Sequence, residues 1–191
     1  MSLFEFVLVM VSLVIAIGIT HLLQAAASIV RHRRELELDW IPLLWMATLF
    51  LYSVGYWWSL WDFRDVQWTF PEFFFLLIPP TLLYAAVSLM VSADFTVAGM
   101  SMTRSFERVR QPFVATVLVF QLLVTWDGWV FGTEPVWNQL RWLQLTLVIL
   151  LTAGTVGAGR RIQAFVALGM FFVLTSLMLG LRFLPGAFGP G

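Results

Sequence analysis

His21 is the one histidine inside an apolar run of this 191-residue chain. At 100° per residue, Thr20, His21, Gln24 and Ser28 fall within about 100° of one helix face. They form a polar stripe that leads toward Arg31, Arg33 and Arg34. Ionisable groups inside a membrane are expensive, so they usually face the bundle interior. An imidazole there can carry a proton, bond a substrate, or serve as the axial ligand of a haem or chlorin. It can also be a neutral ring bonded to another helix, with no further role. His32 lies about 16 Å further along the helix, too far to share a metal with His21. With no second intramembrane histidine, a bis-His haem within one chain is excluded.

A second set of chemically capable residues lies at the opposite ends of the apolar runs. Eight tryptophans (Trp57, Trp58, Trp61, Trp68, Trp126, Trp129, Trp137 and Trp142) fall there. Indole prefers the headgroup region, so a belt at the interface explains many of them. A belt normally marks both interfaces, and the other one holds only Trp40 and Trp45. The excess can line a lipid or quinone site or anchor a partner, with Asp62, Arg64, Asp65, Asp127 and Arg141 as polar contacts. The plain alternative is a set of solvated rim ion pairs, each worth about 0–1 kcal/mol. Trp57 and Trp61 share a helix face, expected to look into the bundle or onto a ligand, with Trp58 turned to lipid or a partner. Asp62 and Arg64 are expected near Trp126 or Asp127. A third set, Gly154, Gly157 and Gly159, has the small-residue spacing that lets helices approach closely, within one chain or between copies. No phosphate-binding glycine loop, metal-binding motif or activated nucleophile occurs. No catalytic residue and no metal ligand set is therefore assigned.

The elements that position these residues are membrane spans. The chain is 60% hydrophobic and 12% charged, against about 25% charged in a soluble domain. The formal net charge is zero, so there is no bulk electrostatic case for nucleic acid, and there is no cysteine. Glu5 precedes the first apolar run and the arginines follow it, the reverse of a signal peptide. Six spans are predicted, at 5–30, 40–62, 72–93, 112–131, 136–158 and 163–182, each near the roughly 20 residues that cross the hydrocarbon. Asp39 is placed as an N-cap and Thr69 to Glu72 as a capping box. Pro79 and Pro80 should kink the third span and free carbonyls near Phe75 and Leu76 for a neighbouring side chain or water. Met102, Phe106 and Val109 suggest a short helix lying on the membrane surface before the fourth span. Eight arginines fall in loops on one side and three (Arg64, Arg141 and Arg182) on the other, so the positive-inside rule puts both termini outside.

Three stretches, GITHLLQ with RHRR, WWSLWDFRD, and WTF before the proline-bearing span, resemble a family of small uncharacterised bacterial membrane proteins. The likeness covers about the first hundred residues. It implies a multi-span inner-membrane protein and supplies no activity. The expected fold is all-α, a polytopic six-helix membrane protein in the bacterial inner membrane. The expected function is non-enzymatic: a binding or accessory component of a homo-oligomer or a larger membrane complex. Its partners are then the lipid bilayer and other subunits, and its candidate cofactors are a lipid, a quinone or a single-His-ligated pigment. The second reading is a small transporter or channel along the His21 stripe. The third is a membrane enzyme acting on a lipid or isoprenoid.

Overall fold

Local capping decides where two of the helices begin. Asp39 accepts a hydrogen bond from the Ile41 N–H at 3.2 Å and starts α2 (Trp40–Ser59). Glu72 accepts from the Thr69 N–H at 2.6 Å and starts α3 (Phe70–Met90). The computed structural model describes residues 3–91, 101–133, 139–157 and 159–180. Within them the remaining helices are α1 (Leu3–His32), α4 (Met102–Val130), α5 (Gln139–Val156) and α6 (Arg160–Gly180), and a 3-10 turn (Leu60–Phe63) follows α2. Trp137, Arg182, residues 136–138 and the C-terminal loop lie outside the described residues.

Five of the six helices are long and apolar enough to cross a membrane, and α5 is shorter. The surface is built for lipid. Leu13, Ile17, Ile149, Phe165, Phe172 and Leu179 point outward, while Thr48, Ser53, Gln121 and Thr125 are buried. This is a helical, multi-pass membrane architecture.

The helices alternate in direction. Trp45 meets Phe113, Tyr52 meets Gln121 and Phe63 meets Phe131, so α2 and α4 run parallel. Asp39 meets Arg160 and Gly55 faces Met178, so α6 runs with them. Phe6 meets Phe73 and His21 meets Tyr84, so α1 and α3 are parallel, and Phe4 against Trp61 sets α1 antiparallel to α2. Around the bundle, α1 packs on α3, α3 on α4, α4 on α5 and α5 on α6. α2 touches α1, α3, α4 and α6 and is the central element. The described starts of α4 and α6 and the end of α1 share one end of the bundle, here the arginine-rich end. The other end carries most of the tryptophans.

Two expectations need correction. The segment from Met102 to Val109 is no separate surface helix. It is the first two turns of α4, which runs unbroken through Pro112. Met102 and Phe106 are buried in the protein and not laid on lipid, because the Met102 N–H bonds the Glu37 carbonyl at 3.2 Å and draws the helix onto the preceding loop. Of the three glycines at the end of α5, Gly154 and Gly157 pack against neighbouring helices and Gly159 does not. A Cβ at Gly154 would stand 3.2 Å from Val166 and 3.3 Å from Val114, on α6 and α4. A Cβ at Gly157 would stand 2.6 Å from Ile162 on α6, whereas Gly159 faces open space. Packing inside the chain thus accounts for Gly154 and Gly157.

α3 continues through Pro79 and Pro80. Pro80 has no N–H to give to the carbonyl four residues earlier. That carbonyl, on Leu76, accepts from the Tyr56 hydroxyl at 3.0 Å. The neighbouring side chain that the proline requires is therefore Tyr56. Tyr56→Phe strands a buried acceptor and should cost about 1–3 kcal/mol, read as a lowered unfolding temperature in detergent with the helix content unchanged.

Candidate functional site

The interior face of α1 is aliphatic. Val7, Val11, Ile15, Gly18, Leu22, Ala25 and Ile29 are buried, and Gly18 lets the helix come within 4.0 Å of the Tyr84 backbone by the measure of an added Cβ. With this face turned to the bundle, the polar stripe lies to one side. Thr20 and Gln24 are exposed, and the Thr20 hydroxyl is bonded to the Ala16 carbonyl at 2.7 Å. His21 is half-buried at the helix edge, its ring 5.5 Å from that of Tyr84. Ser28 is buried, and its carbonyl lies 3.0 Å from His32 Nδ1. The four residues do not form a path through the interior.

The tryptophans of α2 are also rotated from the expected phase. Trp57, Trp58 and Trp61 are 44%, 40% and 47% exposed, so no one of the three is the inward residue. The inward positions are Tyr52, Tyr56, Leu60 and Phe63. Trp57 and Trp61 instead form an outward platform with α1. The Trp57 indole donates to the Ser12 hydroxyl at 3.0 Å, and Trp61 meets Phe4 edge-on at 6.4 Å. Arg64 lies 5.9 Å from the Trp61 ring and pairs with Asp65 at 3.3 Å, an exposed rim pair of little energetic weight. Asp62 is half-buried.

Within the rest of the expected cluster, Trp126 and Arg141 meet between α4 and α5. Arg141 is 0% exposed, which removes it from the solvated rim. Its guanidinium is 5.1 Å from the Trp126 ring and donates to Gln144 Oε1 at 3.3 Å. Asp127 is buried, and its Oδ1 accepts from the Gly128 N–H at 2.7 Å. The outer residues therefore include an exposed platform on α1 and α2 and a buried contact of Arg141 with Trp126 between α5 and α4.

The interior carries a polar seam on α2. Trp45, Thr48, Tyr52 and Tyr56 share one face at helical spacing, and all are buried. Tyr52 donates to Gln121 Oε1 at 2.6 Å, and Gln121 Nε2 donates to the Thr125 hydroxyl at 3.2 Å. Thr125 in turn bonds the Gln121 carbonyl at 2.7 Å. Trp45 closes the arginine-rich half of the seam, edge-on to Phe113 at 5.1 Å. The spacing of these residues is visible in the sequence, but the neighbouring run of exposed tryptophans obscures it.

At the arginine-rich end, Asp39 does more than cap α2. Its two oxygens take both Nη atoms of Arg160, at 2.8 and 2.9 Å, and the Thr103 hydroxyl at 2.7 Å. It joins the starts of α2, α4 and α6. Burial acts to raise its pKa. The bonds from Arg160, Thr103 and the Ile41 N–H, with the Arg160 charge, outweigh that and hold the carboxyl below its ordinary range. Beside it, Arg110 donates to the Gly157 carbonyl at 2.6 Å, and Gln163 donates to the carbonyls of Gly154 and Gly157 at 2.9 and 2.7 Å. These bonds satisfy carbonyls at the end of α5 that have no partner within the helix. Asp39 and Arg160 are 121 residues apart, and neither residue type nor local spacing announces the pair. Comparison with protein-family models, curated proteins and solved structures returns no match for the chain.

Proposed function

We propose that this is a non-enzymatic, six-span protein of the bacterial inner membrane, acting as a binding or accessory component of a homo-oligomer or larger membrane complex. The observation that carries this reading is the outward platform of Phe4, Trp57 and Trp61. An ordinary belt ring is free to sit among headgroups. Trp57 is pinned by Ser12 and Trp61 is braced by Phe4 and Arg64, so the aromatic faces are held ready for a partner with little ordering cost. The two tryptophans of the platform fall within the WWSLWDFRD stretch that resembles the family of small bacterial membrane proteins. The partner contact is tested by changing Trp57 and Trp61 together to Leu, which keeps an apolar surface and removes the aromatic faces. Co-purifying subunits or the oligomer should be lost from the variant while the fold survives. Unchanged composition on native gels would reduce the platform to a belt.

The arginine bias supports placing the arginine-rich end in the cytoplasm and both termini outside. The chain has no cysteine, so single reporters are easily introduced. Glu35→Cys should react in intact cells only with a membrane-permeant reagent, and Asp65→Cys with an impermeant one. Reaction of both from the same side would overturn the orientation.

The second reading, a small transporter or channel, has one observation in its favour. This is the buried polar seam on α2, which takes the place of the α1 stripe as the polar feature of the interior.

A further inference from the structure

We propose that the cavity at the arginine-rich end is a binding site for one resident water molecule, held by Gln163 Oε1. The cavity has room for about 20 Å³ of water-sized guest and is lined by Asp39, Thr103, Phe106, Arg110, Arg160 and Gln163 among others. Gln163 is 3% exposed. Its amide nitrogen is committed to two backbone carbonyls, at 2.9 and 2.7 Å. Turning the amide over would set its oxygen against those two acceptors, so the orientation is fixed. Oε1 is left as a buried acceptor with no protein donor. It belongs to a residue that lines the cavity, and buried acceptors are almost always satisfied.

The chemistry of the walls selects the guest. Asp39 is no ligand for a cation, because its oxygens already receive Arg160, Thr103 and the Ile41 N–H, and two guanidinium groups stand beside it. An anion would meet the carboxylates of Asp39 and Glu107. The charges of Asp39 and Glu107 balance those of Arg110 and Arg160, which favours a neutral dipole. The volume admits one water, which needs about 10–15 Å³ on this measure, and excludes a larger organic molecule. The water donates to Gln163 Oε1 and extends the contacts of Gln163 from α5 and α6 toward α2 and α4.

Radiolytic footprinting of the purified full chain tests this. X-rays split bound water where it sits and label adjacent side chains, whereas radicals from peroxide photolysis arrive from bulk solvent. Phe106 lines the cavity, and the equally buried Phe113 does not line it. Under X-rays, Phe106 should be hydroxylated several-fold faster than Phe113, and under photolysis the two should be alike. Equal labelling under X-rays overturns the proposal. Fast labelling of Phe106 by both methods also overturns it, because the cavity would then be open to solvent. Gln163→Leu removes the acceptor and should bring Phe106 down to the rate of Phe113, and an unchanged rate would dissociate the water from Gln163. If that variant fails to fold, the comparison of Phe106 with Phe113 in the native chain decides alone.

Discussion

Asp39→Ala should cost about 3 kcal/mol, because it removes a helix cap together with charge-assisted bonds to a buried carboxylate. Three helices lose a common fastening at one stroke. The Ile41 N–H and the Thr103 hydroxyl lose their acceptor, and Arg160 loses its partner. Asp39→Asn separates these contributions. The amide oxygen at the Oδ1 position still caps α2. An NH2 group stands where Oδ2 accepts from Thr103 and Arg160, and the charge for Arg160 is gone. Because the cap survives, a smaller loss than for alanine is expected. The pair also predicts a pH dependence. The folded-state pKa of Asp39 is depressed, so its contribution is complete above the ordinary carboxylate value, about 3.9. It is lost as pH falls through the lower folded value. The gap in unfolding temperature between the native chain and Asp39→Asn should therefore be widest near neutrality and close in strong acid. A gap that stays constant across that range would mean that the ion pair contributes nothing.

Trp45→Ala is the other large effect. Trp45 is fully buried and packs edge-on against Phe113, and truncating such a side chain costs about 3–5 kcal/mol through the cavity it leaves. The same change separates the two functional readings. If the α2 seam is a transport path, the Trp45 ring blocks it, and the variant reconstituted in liposomes should leak small solutes. If the seam only fastens helices together, the variant loses stability and remains tight. Leakage without ion or solute selectivity, appearing only as the protein unfolds, would count for the second case. Thermal unfolding and liposome flux measured on one preparation distinguish the outcomes.

Both variants strike residues whose long-range partners the sequence conceals, and the reason is physical. Capping is local, so Asp39 and the Thr69–Glu72 box are legible within four residues. Proline chemistry is also local, and the need for a donor near Leu76 follows from Pro80 alone. Which face of a span looks inward is a different matter. In water, a helix advertises its buried face by the contrast between apolar and polar sides. In lipid both sides are apolar, and the contrast fades. Trp57 and Tyr56 are adjacent in sequence and differ by one step of rotation. Nothing local identifies Tyr56 as the inward residue; its inward orientation depends on the carbonyl that Pro80 leaves on α3. α1 likewise turns its aliphatic face of Val11, Ile15, Gly18 and Leu22 inward and leaves Thr20 and Gln24 outside, so polarity alone does not mark its inner side. Arg141 looks like a rim residue because it opens a span, but Trp126 on α4 draws it under cover. Pro112 looks like a helix start because proline favours the first turn. The preceding turns nevertheless join α4, because the Glu37 carbonyl holds Met102 in line.

The lengths of α1 and α4 have a consequence for the surrounding bilayer. α1 and α4, with 30 and 29 residues, are about 45 and 44 Å long. The hydrocarbon of a typical bilayer is about 30 Å thick. α1 and α4 therefore exceed that thickness by about 15 Å, and they meet it by tilting or by carrying their charged turns out of the hydrocarbon. Arg31 and His32 end α1, and Arg104, Arg108 and Arg110 lie in the first turns of α4, so the charged excess of both helices falls at one end of the bundle. The protein then carries a raised cationic shelf among the headgroups of one leaflet, and anionic lipid would gather there without any carved pocket.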